Sequence, residues 1–136
     1  MQTQLHQEII RLIEDNGVNR FASDMMPGPD LDAAEMVLQL RDRHPTITLE
    51  CVIPYERQAV KWTQQTRDRY FSILEHCNQE TMLYRSYRPD CMERTEKYMA
   101  QQADFLVWMQ SRISPKKVPP RLHEYALSSE REIVVL

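Results

Sequence analysis

Ile47-Thr48-Leu49-Glu50-Cys51-Val52-Ile53-Pro54-Tyr55-Glu56-Arg57-Gln58-Ala59-Val60-Lys61-Trp62 is the stretch that decides the fold. Its first part, Ile47 to Ile53, alternates in β fashion and is rich in branched side chains, and Pro54 closes the run. A carboxylate (Glu56), a carboxamide (Gln58) and an indole (Trp62) follow at once. A strand that ends by handing polar groups to a loop is how a parallel sheet furnishes its rim. Open α/β sheets bind ligands outside the carboxyl ends of their strands.

Helical patterns lie on both sides. Leu5, Ile9, Leu12 and Ile13 recur at helical spacing between Thr3 and Asn16, and Gly17 is a left-handed stop. Val18 to Ala22 reads as a short strand and Ser23 to Pro29 as a loop. Asp30 then reads as the cap of a helix to about Arg43, with Leu31, Ala34, Val37, Leu38 and Leu40 toward the core. His44-Pro45 ends it. Beyond the deciding stretch, Gln58 to Trp62 reads as a helical turn, Thr63 caps a helix over Gln64 to His76, and Thr81 to Tyr84 is a strand. A helix from Asp90 to about Gln102 and a strand over Phe105 to Met109 follow. A proline-rich loop, Ser114 to Pro120, carries Lys116-Lys117; a short helix, Arg121 to Leu127, and a terminal strand, Glu132 to Val135, complete the pattern. Strands alternate with helices throughout, which predicts an α/β three-layer sandwich with a mainly parallel sheet of about five strands.

The 136 residues predict one domain, 1–136, and 42% hydrophobic content is ordinary for a globular chain. No apolar run approaches the roughly 18 residues of a membrane span. Met1 to Gln7 is mostly polar, unlike a secretory signal. Cys51, Cys77 and Cys91 are odd in number and lack metal spacing, so a reduced cytoplasmic setting is predicted. The net charge of −3 gives no general pull toward nucleic acid, which is not indicated as a partner. Only two glycines occur, Gly17 and Gly28. Phosphate-cradling loops need several, so that backbone amides can approach the anion; a P-loop and a GxGxxG site are both excluded. His6, His44, His76 and His123 are scattered without ligand spacing, so no metal is expected. No serine sits in a nucleophile elbow.

Four stretches together resemble the YpsA-like branch of the SLOG superfamily. That superfamily is Rossmann-like and includes the LOG phosphoribohydrolases and the DNA-processing protein A domain. Arg20-Phe21-Ala22-Ser23 through Gly28-Pro29-Asp30-Leu31-Asp32-Ala33-Ala34-Glu35 is similar to the family's strand, glycine turn and "GVDxxAAE" helix start. Ile47 to Trp62 is similar to its "ITLECVIPxExQAxKW" segment, and Arg67-Asp68-Arg69-Tyr70-Phe71 to its "RDRYF" helix. Tyr87 to Met99 is similar to its "YxxxCMxxRNxYM" segment. The likeness runs from about Leu5 to Trp108. It implies a Rossmann-like fold, a crevice for a nucleotide derivative, and a prokaryotic or phage source.

The departures weigh as much. Family members begin with a strand ending in a "TGHRP"-like loop, whereas this chain starts at the following helix. The sheet is therefore expected to lack the family's first strand, and either to close around the gap or to pair with another chain as a homodimer. The family's "SGMALG" turn is here Ser23-Asp24-Met25-Met26-Pro27-Gly28, with one glycine fewer and an added carboxylate. Its "RN" pair falls on Thr95-Glu96, with Arg94 one position early, and its "GGT" loop is replaced by the glycine-free Met109 to Ser114. Such loops supply amide donors at helix N-termini, and Asp24 sets a negative charge where an anion would sit.

Asp30 and Glu35 are candidates to line the crevice; the plainer reading is a helix cap and a solvated helix residue. Glu56, Gln58 and Trp62 are candidates to contact a base or ribose, with Glu56 also a candidate for acid/base work. The plainer reading there is a structural loop with a buried Trp62. Arg94 and Tyr98, on one helix face, complete the candidate ligand-binding set. The expectation is a non-enzymatic protein-interaction module, regulatory or inhibitory, on a degenerate SLOG fold from a bacterial, phage or mobile-element setting. It has a protein partner and neither a cofactor nor a catalytic residue. The alternatives are a sensor that binds a nucleotide derivative, and a LOG-like phosphoribohydrolase cleaving an N-glycosidic bond with Glu56 or Glu35.

Overall fold

The structure is a computed structural model that describes residues 2–102, 105–108 and 132–135. The chain forms two compact units, Met1–Cys91 and Met92–Leu136.

The first unit runs α1 (Gln2–Asn16), β1 (Arg20–Ser23), α2 (Pro29–Leu40), β2 (Thr48–Tyr55), α3 (Gln64–His76) and β3 (Gln79–Tyr84). The three strands form one sheet in the order β1-β2-β3, with both pairings parallel. Parallel neighbours need a crossover, and α2 and α3 are those crossovers. α1 turns its apolar stripe, Leu5, Ile9 and Leu12, inward and ends at Gly17, whose φ of 67° lets the chain turn away. α2 buries Leu31, Ala34, Val37 and Leu40 and packs against α1, α3, β1 and β2. α3 buries Tyr70 and Ile73 and is capped by Thr63, whose hydroxyl accepts the Thr66 N–H.

β2 is the centre of the unit, buried from Cys51 to Pro54 and bonded on both sides. It continues through Pro54 to Tyr55, where the sequence predicted a stop at Ile53. In a parallel strand, successive residues bond alternately to one neighbour and the other. Leu49 bonds toward β3 through Asn78, and Thr48 bonds back to Asn19 just before β1. Pro54 therefore faces the β1 side, as Thr48 does. β1 has ended by then, its last residue Ser23 lying opposite Cys51. Among the described residues, the missing N–H of Pro54 falls where this sheet has no partner to receive it, which is where a strand tolerates proline. β3 also begins earlier than predicted, at Gln79. Asn78 prepares that start: its N–H donates to the Leu49 carbonyl at 3.0 Å and its side-chain oxygen accepts the Leu49 N–H at 2.9 Å.

The second unit holds α4 (Cys91–Gln102, from its second residue) and a parallel pair, β4 (Phe105–Trp108) with β5 (Glu132–Val135). The alternating α/β order and the parallel pairing are as the sequence predicts, and the fold is Rossmann-like in class. Among the described residues the strands fall into a sheet of three and a sheet of two, where the sequence predicted one sheet of about five. The predicted Ser114 to Pro120 loop, the Arg121 to Leu127 helix and His123 lie outside the described residues. Among the described residues, no helix is long and apolar enough to cross a membrane.

Candidate functional site

The carboxyl ends of β1, β2 and β3 define the edge where a ligand would be met. At the end of β1 the chain bonds to itself. The Ser23 hydroxyl donates to the Asp30 carbonyl at 2.8 Å and accepts the Met25 N–H at 3.1 Å. The Asp24 carboxylate accepts the Met26 N–H at 3.2 Å, and both Ser23 and Asp24 are buried. Met25 takes the left-handed conformation, φ 66°, at a cost of about 1–2 kcal/mol for a residue with a Cβ. Its side chain is fully buried, which offsets that strain.

This loop leads into α2 in a way that the sequence did not predict. Asp30 is not the cap. Gly28 is the cap residue, with φ 100° and no side-chain cap bond, and Pro29 takes the first helical position. Proline fits there because its fixed φ suits the helix and its absent N–H would be orphaned anyway. Asp30 is exposed in the first turn, which also holds the half-buried Asp32. The Leu31 N–H bonds to the Met26 carbonyl at 3.1 Å. Pro29 thus offers no donor, and the amides of Met25, Met26 and Leu31 are all committed within the loop. Two first-turn carboxylates already complement the helix dipole.

Gln58 lies inside the structure, 6% exposed. Its Nε2 donates to the Asp24 carbonyl at 3.3 Å and reaches the Tyr70 hydroxyl at 3.4 Å. Its Oε1 is buried and has no hydrogen-bond partner among the described residues. Burial pushes the Tyr70 phenol up, and the bond from Gln58 partly opposes that. Trp62 is half-buried and meets Tyr70 edge-on, with ring centroids 5.2 Å apart. Two of the candidate residues, Gln58 and Trp62, are therefore brought together on Tyr70, between the loop after β1 and α3.

The others stand elsewhere. Glu56 is exposed in a series of tight turns closed by Gln58 N–H to Tyr55, Val60 N–H to Arg57 and Trp62 N–H to Ala59. It borders a shallow groove of about 280 Å³ with Arg57, Ala59, Val60, Arg67 and Phe71. Glu35 is held in an ion pair that joins α2 to α3. Arg69 Nε donates to Glu35 Oε2 at 3.1 Å, and Arg69 Nη2 donates to Glu35 Oε1 at 2.5 Å and to Asp32 Oδ1 at 2.8 Å. These carboxylates push the guanidinium pKa further up. Arg94, exposed, and Tyr98, half-buried, lie on α4 in the second unit.

An aromatic cluster at the same edge escaped the sequence reading. Tyr55 and Tyr84, the last residues of β2 and β3, are register partners. Tyr55 meets Tyr87 edge-on at 5.3 Å, and the Arg88 guanidinium lies 4.7 Å over the Tyr84 ring. The tyrosines at the two strand ends were the available signal.

The family model of YpsA, described as the YspA SLOG family, matches residues 1–131, and the chain belongs to that family. Among its relatives, a UPF0398 protein of Halalkalibacterium halodurans is 33% identical over 103 residues, 74% of this chain and 54% of that protein. A UPF0398 protein of Bacillus pumilus is 24% identical over 109 residues, 79% and 58% of the two chains. One of Brevibacillus brevis is 28% identical over 82 residues, 60% and 43%. The chain spans about half the length of the curated relatives it matches.

Proposed function

We propose that this chain is a non-enzymatic, protein-binding regulatory or inhibitory module on a SLOG fold whose ligand crevice is closed by its own side chains. The observation that carries the proposal is the loop after β1. Its Met25 and Met26 amides are taken by Ser23 and Asp24, and the Leu31 amide by the Met26 carbonyl. An anion would have to displace a buried carboxylate to use the Met26 amide, and charge repulsion opposes its approach. The bacterial sources of the matched relatives support a bacterial, phage or mobile-element setting.

A thermal-shift panel of nucleotides, nucleoside monophosphates, ADP-ribose and dinucleotides tests this. A ligand at about 100 times its Kd stabilises a fold by roughly 2.7 kcal/mol, which a melt resolves easily. The expected outcome is no shift with any member. A concentration-dependent rise in Tm would refute the closed crevice.

A second reading, a sensor that binds a nucleotide derivative, is favoured by the Tyr55, Tyr84, Tyr87 and Arg88 cluster at the strand ends. Under that reading the panel gives a shift that Tyr87→Ala removes. Release of free base from a nucleoside monophosphate would instead place the chain with the phosphoribohydrolases.

A further inference from the structure

We infer that the groove between the turns after β2 and α3 docks a protein segment that presents an apolar side chain between carboxylates. This rests on the protein-binding reading above and names its surface and the chemistry of its partner. The floor of the groove is Ala59, which is buried, and its apolar walls are Phe71, 58% exposed, and Val60, 45% exposed. A phenyl ring and a branched side chain left in water beside each other form an apolar patch that a partner side chain can cover. The lining of the groove is net basic, while two exposed α3 carboxylates, Asp68 and Glu75, stand outside it three residues before and four after Phe71. Arg57 and Arg67 line the groove against one carboxylate, Glu56, and Lys61 is exposed one residue beyond Val60. Within the lining, two guanidinium groups against one carboxylate have the opposite sign to the chain's net charge of −3. Arg67 is also pre-oriented, because its Nη1 donates to the Val60 carbonyl at 3.2 Å and ties the α3 cation to the turn. A planar guanidinium held in place suits a carboxylate better than a mobile ammonium does. A second copy of this chain is less suited, since its own groove offers one carboxylate, Glu56, to two guanidinium groups.

The test is a selection of random displayed peptides on the whole chain, followed by affinity measurement on the Phe71→Ser, Arg67→Glu and Arg57→Glu variants. Enriched peptides are expected to carry Leu, Phe or Trp flanked by Asp and Glu. Phe71→Ser is expected to weaken them by roughly tenfold or more, as loss of a central aromatic anchor does. The two Arg→Glu variants are expected to weaken them similarly, and added salt to weaken the wild-type complex. Phe71 is exposed, so its replacement leaves no core cavity; a melt of each variant confirms the fold. No enrichment, enrichment of neutral or basic peptides, or equal binding to Phe71→Ser would each overturn the inference. Equal binding to Phe71→Ser would still leave a protein-binding chain that uses another face. A nucleotide shift in the thermal panel strikes at the underlying reading instead, so the two failures are distinguishable.

Discussion

Replacing Arg69 with methionine is expected to loosen α2 from α3 while keeping most of the stem's packing. The guanidinium makes two bonds to Glu35 and one to Asp32, at 2.5–3.1 Å. Desolvated charge-assisted bonds contribute about 1.5–3 kcal/mol each, whereas exposed ion pairs contribute about 0–1 kcal/mol. Arg69 and Glu35 are each 35% exposed and Asp32 is 19% exposed, so solvent screens much of the attraction. The bidentate geometry keeps some of it, and we expect Arg69→Met to lose about 1–2 kcal/mol. For a chain of this length that is a fall in Tm of roughly 3–7 °C. Urea unfolding followed by tryptophan fluorescence measures the loss. A double-mutant cycle with Glu35→Gln should give a coupling of about 0.5–1.5 kcal/mol, which shrinks as salt approaches 1 M. Coupling below about 0.3 kcal/mol at low salt would refute the clamp. It would also return Glu35 to the candidates for ligand contact.

Gln58→Met removes two long hydrogen bonds and one orphaned oxygen together, so it should stay within about 1 kcal/mol of wild type. Gln58→Glu puts a charge in the same buried place beside the Asp24 carbonyl, and should lose about 3 kcal/mol at neutral pH; equal losses in urea for the two would contradict this. Gly28→Ala should lose about 1–2 kcal/mol by strain alone, because φ is 100° there and a Cβ would meet nothing within 4 Å; an unchanged urea midpoint would count against the assigned backbone. Burial, reinforced by Cys77, pushes the Cys51 thiol up from its ordinary value of 9.0, and burial pushes Tyr70 up from 10.0. Both groups are neutral in the fold but ionise in the unfolded chain above those values, so stability should be full below about pH 9 and decline above it. Alkylation should accordingly mark half-buried Cys77 well before buried Cys51 and Cys91, and the reverse order would refute that placement.

Local signals were the legible ones. α3 was predicted residue for residue because Thr63 is a cap whose partner, Thr66, lies three residues on. Parallel pairing followed from the alternation of strands and helices. Pro54 misled the reading of β2 because the cost of its missing N–H depends on where β1 ends, and no local pattern carries that. The site was half legible. The turn after β2 was placed correctly at the carboxyl edge of the sheet, yet the inward turn of Gln58 depends on a carbonyl 34 residues earlier and a phenol 12 residues later. The Arg69 clamp joins groups 34 and 37 residues apart, and only packing brings them together. Asp30 looked like a cap because a carboxylate at a helix start commonly is one. The proline before it claimed the first helical position and moved the boundary.

The central place of β2 also sets the timing of exchange with solvent. Its amides from Cys51 to Ile53 lie in a strand flanked on both sides and closed on both faces. Each bonds to one neighbour only, Val52 toward β1 and Cys51 and Ile53 toward β3, but all three are buried, so deuterium should enter them far more slowly than the amides of the exposed turns that follow. Pro54 has no amide and ends that slow run abruptly, so the boundary between slow and fast exchange falls at the foot of the turns that carry Glu56.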